Sequence, residues 1–125
     1  MRLFIIAAVL VAVPSVASAQ TMNAETFHQR ATALKKKGPL ALFSRGEIKA
    51  LMSEVQAAAP RAREQRLAAV KAGQKPRYCP PEGPQSLGSS EFMQRLSAIP
   101  QQERRRIDMT EATTRILAAK YPCRG

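Results

Sequence analysis

The chain contains no tryptophan, one histidine and two cysteines, and aromatic residues make up 5% of it. Each shortage excludes something. A zinc site gathers about four Cys, His or carboxylate ligands, and His28 with Cys79 and Cys123 does not supply them, so neither a metal nor a cofactor is expected. No Gly-rich phosphate loop is present either, because Pro81-Glu82-Gly83-Pro84 lacks the Lys-Ser/Thr ending and a strand before it. His28 follows Phe27; as a general base it needs an orienting acid and a nearby nucleophile, and nothing in its local sequence supplies the set. It reads as a surface or boundary histidine. The acidic residues include capping positions and are otherwise scattered, without a motif that would pair two carboxylates for hydrolysis. The sequence therefore points to binding and not to enzymatic catalysis. Alternating apolar and polar runs of strand length are absent, as are internal repeats, which leaves an all-α class.

Acidic charge is also scarce: 9 Asp and Glu stand against 20 Lys and Arg, a net charge of +11. Such an excess suits acidic partners or anionic envelope surfaces, and it also serves plain solubility.

The first 19 residues have a definite order. Arg2 supplies a positive start, Leu3 to Val13 is an unbroken apolar run, and Ala17-Ser18-Ala19 forms a small-x-small cleavage site. That order predicts a secretory signal over 1–19, with the mature chain beginning at Gln20. The apolar run falls short of the roughly 20 residues that a membrane-spanning helix needs, and no second one follows. Residues 20–125 fit one small helical domain, placed by the signal in the periplasm or outside the cell. Export also puts Cys79 and Cys123 where thiols are oxidised, so an intrachain bridge is the expected pairing. A free Cys79, or an intermolecular bridge through Cys123, is the alternative.

Helical periodicity accounts for most of the remainder. Asn23 caps a first helix with Phe27, Ala31 and Leu34 on one face, Lys35, Lys36 and Lys37 in its last turn and Gly38-Pro39 as its stop. Leu40 to Phe43 is a short apolar connection. Ser44-Arg45-Gly46-Glu47 reads as a capping box, with Phe43 positioned to staple onto Ile48. Ile48, Leu51, Met52 and Val55 continue as a core face, and Pro60 predicts a kink or a fresh start. Gln74 to Gly88 is rich in proline and glycine and forms an irregular loop carrying Cys79. Ser89 or Ser90 starts a helix bearing Phe92, Met93, Leu96 and Ile99, and Pro100 ends it or opens a short turn. Asp108-Met109-Thr110-Glu111 opens the last helix, with Met109, Ala112, Ile116 and Leu117 on its face and Pro122 as its end. Four to five helices in a small bundle are the expected architecture.

Basic side chains are the polar feature in excess, in three clusters: Lys35 to Lys37; Arg61, Arg63 and Arg66; and Arg104, Arg105 and Arg106. Arginine can grip carboxylates or phosphates through two parallel hydrogen bonds, which makes the two arginine clusters the candidate partner surface. The lysines at a helix end also serve to offset its dipole. Export and the few aromatics, most at core positions, argue against nucleic acid as the partner.

From Tyr78-Cys79-Pro80-Pro81-Glu82-Gly83 through the Phe92/Leu96 helix to Ala118-Ala119-Lys120-Tyr121-Pro122-Cys123, roughly the last 50 residues, the chain resembles the Rap/Tai immunity proteins. Those are small exported helical proteins that protect a bacterium from peptidoglycan amidase toxins delivered by type VI secretion. The resemblance implies a Cys79–Cys123 bridge, an amidase effector as protein partner, inhibition by covering its active site, and homodimer formation. The first half carries no part of the resemblance, and the strong positive charge is not a family requirement. An alternative expectation is a basic envelope protein that binds anionic lipids or polymers without a specific toxin partner.

Overall fold

The computed structural model describes residues 22–83 and 85–124, so the secretory signal expected over 1–19 lies outside the described residues. The described chain is all-α. Its elements are α1 (Ala24–Lys36), a 3-10 turn (Gly38–Phe43), α2 (Arg45–Lys71), α3 (Ser89–Ala98), α4 (Gln101–Arg104) and α5 (Met109–Lys120).

Two polar caps start the bundle side by side. Asn23 Oδ1 accepts from the amides of Glu25 and Thr26 and so satisfies the first turn of α1. Asp108 Oδ1 does the same for the Glu111 amide at the start of α5. The two caps face each other in an isolated antiparallel bridge, with Ala24 N donating to Ile107 O and Met109 N to Met22 O, both at 2.9 Å. Asn23 Nδ2 also donates to the Arg105 and Ile107 carbonyls, so one side chain fixes the origins of two helices.

Above these caps the apolar faces close into one core. Phe27 of α1 meets Phe92 of α3 edge to face at 6.1 Å between centroids. Leu51 and Ala58 of α2, Leu96 of α3, and Met109, Ala112 and Ile116 of α5 complete the cluster. Ala58 and Ala62 are almost wholly buried. Their small size suits the close approach of α2 to α5, the most extensive helix pair in the fold.

Four local expectations are revised. α2 runs without interruption through Pro60, which is exposed. Proline costs a helix one hydrogen bond, but the carbonyl it frees belongs to Gln56, also exposed and open to water, while buried Ala58 and Ala62 hold the helix on either side. The capping box at Ser44 does not form: Ser44 makes no side-chain cap, its hydroxyl accepts from Lys37 Nζ at 3.0 Å, and Glu47 turns to Arg30 instead. A full ion pair outcompetes the neutral amide for that carboxylate. The Phe43 staple is also absent, since Phe43 is 88% exposed. At the third helix the cap position falls on Gly88, with Ser89 already inside the first turn.

The proline-rich segment is irregular wherever it is described, and it is tied to α5 and the tail at several points, through Arg77 to Glu111, Ser86 O to Lys120 Nζ, and a covalent bond. Cys79 and Cys123 are bonded at 1.98 Å with their Cα atoms 4.9 Å apart. Next to the bridge Cys79 N donates to Tyr121 O at 2.8 Å. The free-thiol and intermolecular alternatives are thereby set aside. No helix among the described residues is long and apolar enough to cross a membrane.

Candidate binding groove

Helix α2 has more apolar surface than its neighbours cover. Leu51, Glu54, Ala58 and Ala62 form its buried stripe. Beside that stripe run Ile48, Met52, Val55, Ala59 and Leu67 at near-helical spacing, and these line an open groove of about 1380 Å³. Met52 and Leu67 are 53% and 46% exposed there. Phe27 and Leu34 of α1, Phe92 and Met93 of α3, and Leu117 of α5 contribute to the floor. The opposite wall is the proline-rich loop, through Tyr78, Pro80, Pro81 and Leu87. The groove thus depends on the disulfide, because Tyr78 and Pro80 flank the cysteine that holds this wall against the tail.

Tyr78 is buried, and the guanidinium of Arg66 lies over its ring with Cζ 5.3 Å from the centroid. Arg66 Nε is buried without a hydrogen-bond partner among the described residues. An N–H of a charged group left in that state costs free energy until an acceptor arrives. Arg63, one turn earlier, is exposed on the same lining, and Glu64 and Glu82 also reach it. The chemistry is therefore an apolar trough with charged groups of both signs on its lining and one unmet donor at Arg66, suited to an apolar segment that carries an acceptor.

The structure divides the six arginines of the candidate partner surface. Arg63 and Arg66 line the groove, while Arg61 is half-buried on α2 outside its lining. Arg105 and Arg106 are exposed beyond α4, which packs on α1. Arg104 is removed from any surface role: it is only 7% exposed, its Nε donates to Glu25 Oε2 at 2.8 Å, and its Nη1 donates to the Ile99 and Ser97 carbonyls. Its guanidinium ends α3 from within, satisfying carbonyls that the helix leaves open. The sequence shows three adjacent arginines and no sign of which one turns inward. The groove itself was also missed, because its lining reads in sequence as ordinary core face.

One polar cluster lies apart from the groove. His28 Nε2 is 3.0 Å from Ser97 Oγ, and His28 Nδ1 is 4.0 Å from Glu25 Oε1. Burial first, and then the charge of Arg104, hold the His28 imidazole below its ordinary value, partly opposed by Glu25. Burial pushes the Glu25 carboxyl up, but hydrogen bonding and charge from Arg104, with help from His28 and Gln29, bring it below the usual carboxylate range. Ser, His and Glu are thus neighbours, but Glu25 is committed to Arg104. Ser97 also stands at the carbonyl end of α3, where the helix dipole opposes negative charge developing on a substrate oxygen. The arrangement is that of a structural ion pair with a histidine lid.

Among the described residues no group of three or more His, Cys, Asp or Glu is placed to hold a metal ion. No family model matches the chain, and no match was found among curated proteins or solved structures.

Proposed function

We propose that this chain is an exported helical binding protein of the immunity type, which inhibits a peptidoglycan amidase effector by taking an apolar segment of it into the groove beside α2. The observation that carries this reading is the groove: an α2 stripe left half-exposed, a wall pinned by Cys79–Cys123, and Arg66 holding an unmet N–H at one end. Its volume of about 1380 Å³ exceeds the ~300–1,000 Å³ usual for small-molecule sites and favours a stretch of polypeptide, laid in as amphipathic helices lie in grooves. The second-half resemblance to Rap/Tai proteins supplies the partner class and the periplasmic setting. Non-enzymatic action belongs to the same proposal.

The test is inhibition. Immobilised mature protein is exposed to periplasmic extract containing effector, and amidase activity on peptidoglycan is followed as protein is added. Stoichiometric inhibition is expected, lost in Met52→Asp and Leu67→Asp at little cost in melting temperature, since both side chains are about half exposed. Inhibition that survives both substitutions overturns the groove. Recovery of polyanions alone, released in moderate salt, overturns the protein-partner reading.

A further inference from the structure

At the end of the α1–α2 hairpin the chain does something costly. The 3-10 turn Gly38–Phe43 holds Leu40, Leu42 and Phe43 at 65%, 70% and 88% exposure, so three of four consecutive positions carry large apolar side chains turned to solvent. Gly38 at φ +54°, a left-handed conformation that disfavours other residues, swings the chain out of α1, and Pro39 starts the turn. Lys37 Nζ bonds Ser44 Oγ across its base. This tip is not part of the groove, since none of the three side chains lines it. A single exposed leucine is ordinary on a protein surface, but a contiguous patch is the mark of a contact site.

The flanking charge identifies the contact. Lys35, Lys36 and Lys37 precede the tip, Arg45 and Lys49 follow it, and all five are exposed with no carboxylate partner among the described residues. Glu47, the acidic residue nearest in sequence, is taken up by Arg30. A second copy docking here would press two collars of five cations together, which like-charge repulsion opposes. An anionic bilayer satisfies both features at once: its headgroups neutralise the collar, and Leu40, Leu42 and Phe43 enter the acyl boundary while the lysines snorkel outward. The geometry points to this tip as a peripheral membrane contact that anchors the protein to an anionic lipid surface. The groove then stays free, so this contact does not rest on the immunity-type reading.

The chain has no tryptophan, so Phe43→Trp places a single indole reporter at the tip of the otherwise unaltered mature protein. The variant is mixed with vesicles of phosphatidylcholine containing one third phosphatidylglycerol, and emission and co-sedimentation are read together. A blue shift with sedimentation is expected. Each lysine near an anionic surface is worth a factor of about 5, so Lys35→Gln, Lys36→Gln and Lys37→Gln together should weaken partitioning on the order of 100-fold. Leu40→Ser with Leu42→Ser should weaken it at least roughly tenfold through lost apolar insertion. Leu67→Asp in the groove should leave it unchanged, which separates this contact from the inhibitor reading. Three results overturn the proposal: no partitioning on anionic vesicles, partitioning indifferent to the leucine substitutions, or a blue shift that grows with protein concentration in the absence of lipid.

Discussion

Arg104 Nε donates to Glu25 Oε2 across 2.8 Å, joining residues 79 apart in sequence, and both side chains are less than a tenth exposed. The pair ties α4 to the first turn of α1, where an acidic side chain also complements the positive end of the helix. The same guanidinium closes the carbonyl end of α3.

Removing that guanidinium should therefore be costly. Arg104→Ala leaves Glu25 buried without its counter-charge and uncovers the Ile99 carbonyl, and the loss of one partner of such a pair is expected to cost about 3–5 kcal/mol. Arg105→Glu next to it, on an exposed side chain, should change stability by less than about 0.5 kcal/mol. Urea unfolding of the two variants beside the parent reads the contrast. Equal midpoints would remove Arg104 from the framework of the fold.

Stability should fall as pH falls, in two stages. His28 is held below its ordinary value of 6.5 by burial and by Arg104, with Glu25 opposing and the Ser97 hydroxyl at its other nitrogen. The unfolded chain then binds the proton more readily, so the contribution of His28 is complete above about 6.5 and is lost as pH drops below it. Glu25, lowered by Arg104 against the effect of burial, contributes above the ordinary carboxylate value of 4.5 and is lost as pH falls through its folded value. Glu91, lowered by Lys120 and Arg95, and Glu111, lowered by hydrogen bonding to Arg77 against burial, act in the same direction. Denaturant midpoints taken from pH 8 to pH 4 should show a shallow decline below about 6.5 and a steeper one below about 4.5. His28→Asn should abolish the first decline and keep the second. A first decline that persists in His28→Asn would assign it to other groups.

Reduction should both destabilise the chain and open the groove. The bridge spans 44 positions, for which chain entropy gives about 4 kcal/mol as an upper guide. Unfolding with and without a reductant measures the loss, and a Cys79→Ser, Cys123→Ser variant should behave as the reduced protein does. The wall formed by Tyr78 and Pro80 should loosen with it, exposing Tyr78 to faster proteolysis at the neighbouring Arg77. An unchanged midpoint would mean that α2 and α5 hold the fold without the staple.

Helix positions were legible because they rest on local rules. The Asn23 and Asp108 caps, the Phe27 and Phe92 faces and the stop at Pro122 are each written within a few residues, and each lies where periodicity and capping place it. The errors came where a residue had two uses for one group. Glu47 had a cap amide and Arg30 within reach, and the ion pair prevailed. Of the kink or fresh start that Pro60 predicts, the fresh start is overturned, because packing of α2 on α5 outweighs one missing hydrogen bond.

Local spacing in the chain determined that it would be helical, which faces are apolar, and that two cysteines stand ready to bridge, since these depend on chemistry between near neighbours. Tertiary packing alone decided which arginine of Arg104 to Arg106 turns inward, how much of the α2 stripe stays uncovered, and that Leu40, Leu42 and Phe43 face solvent. An apolar side chain carries no mark of whether a partner helix will reach it; that depends on how far α5 and the proline-rich loop extend along α2, and on where the Cys79–Cys123 bond stops them.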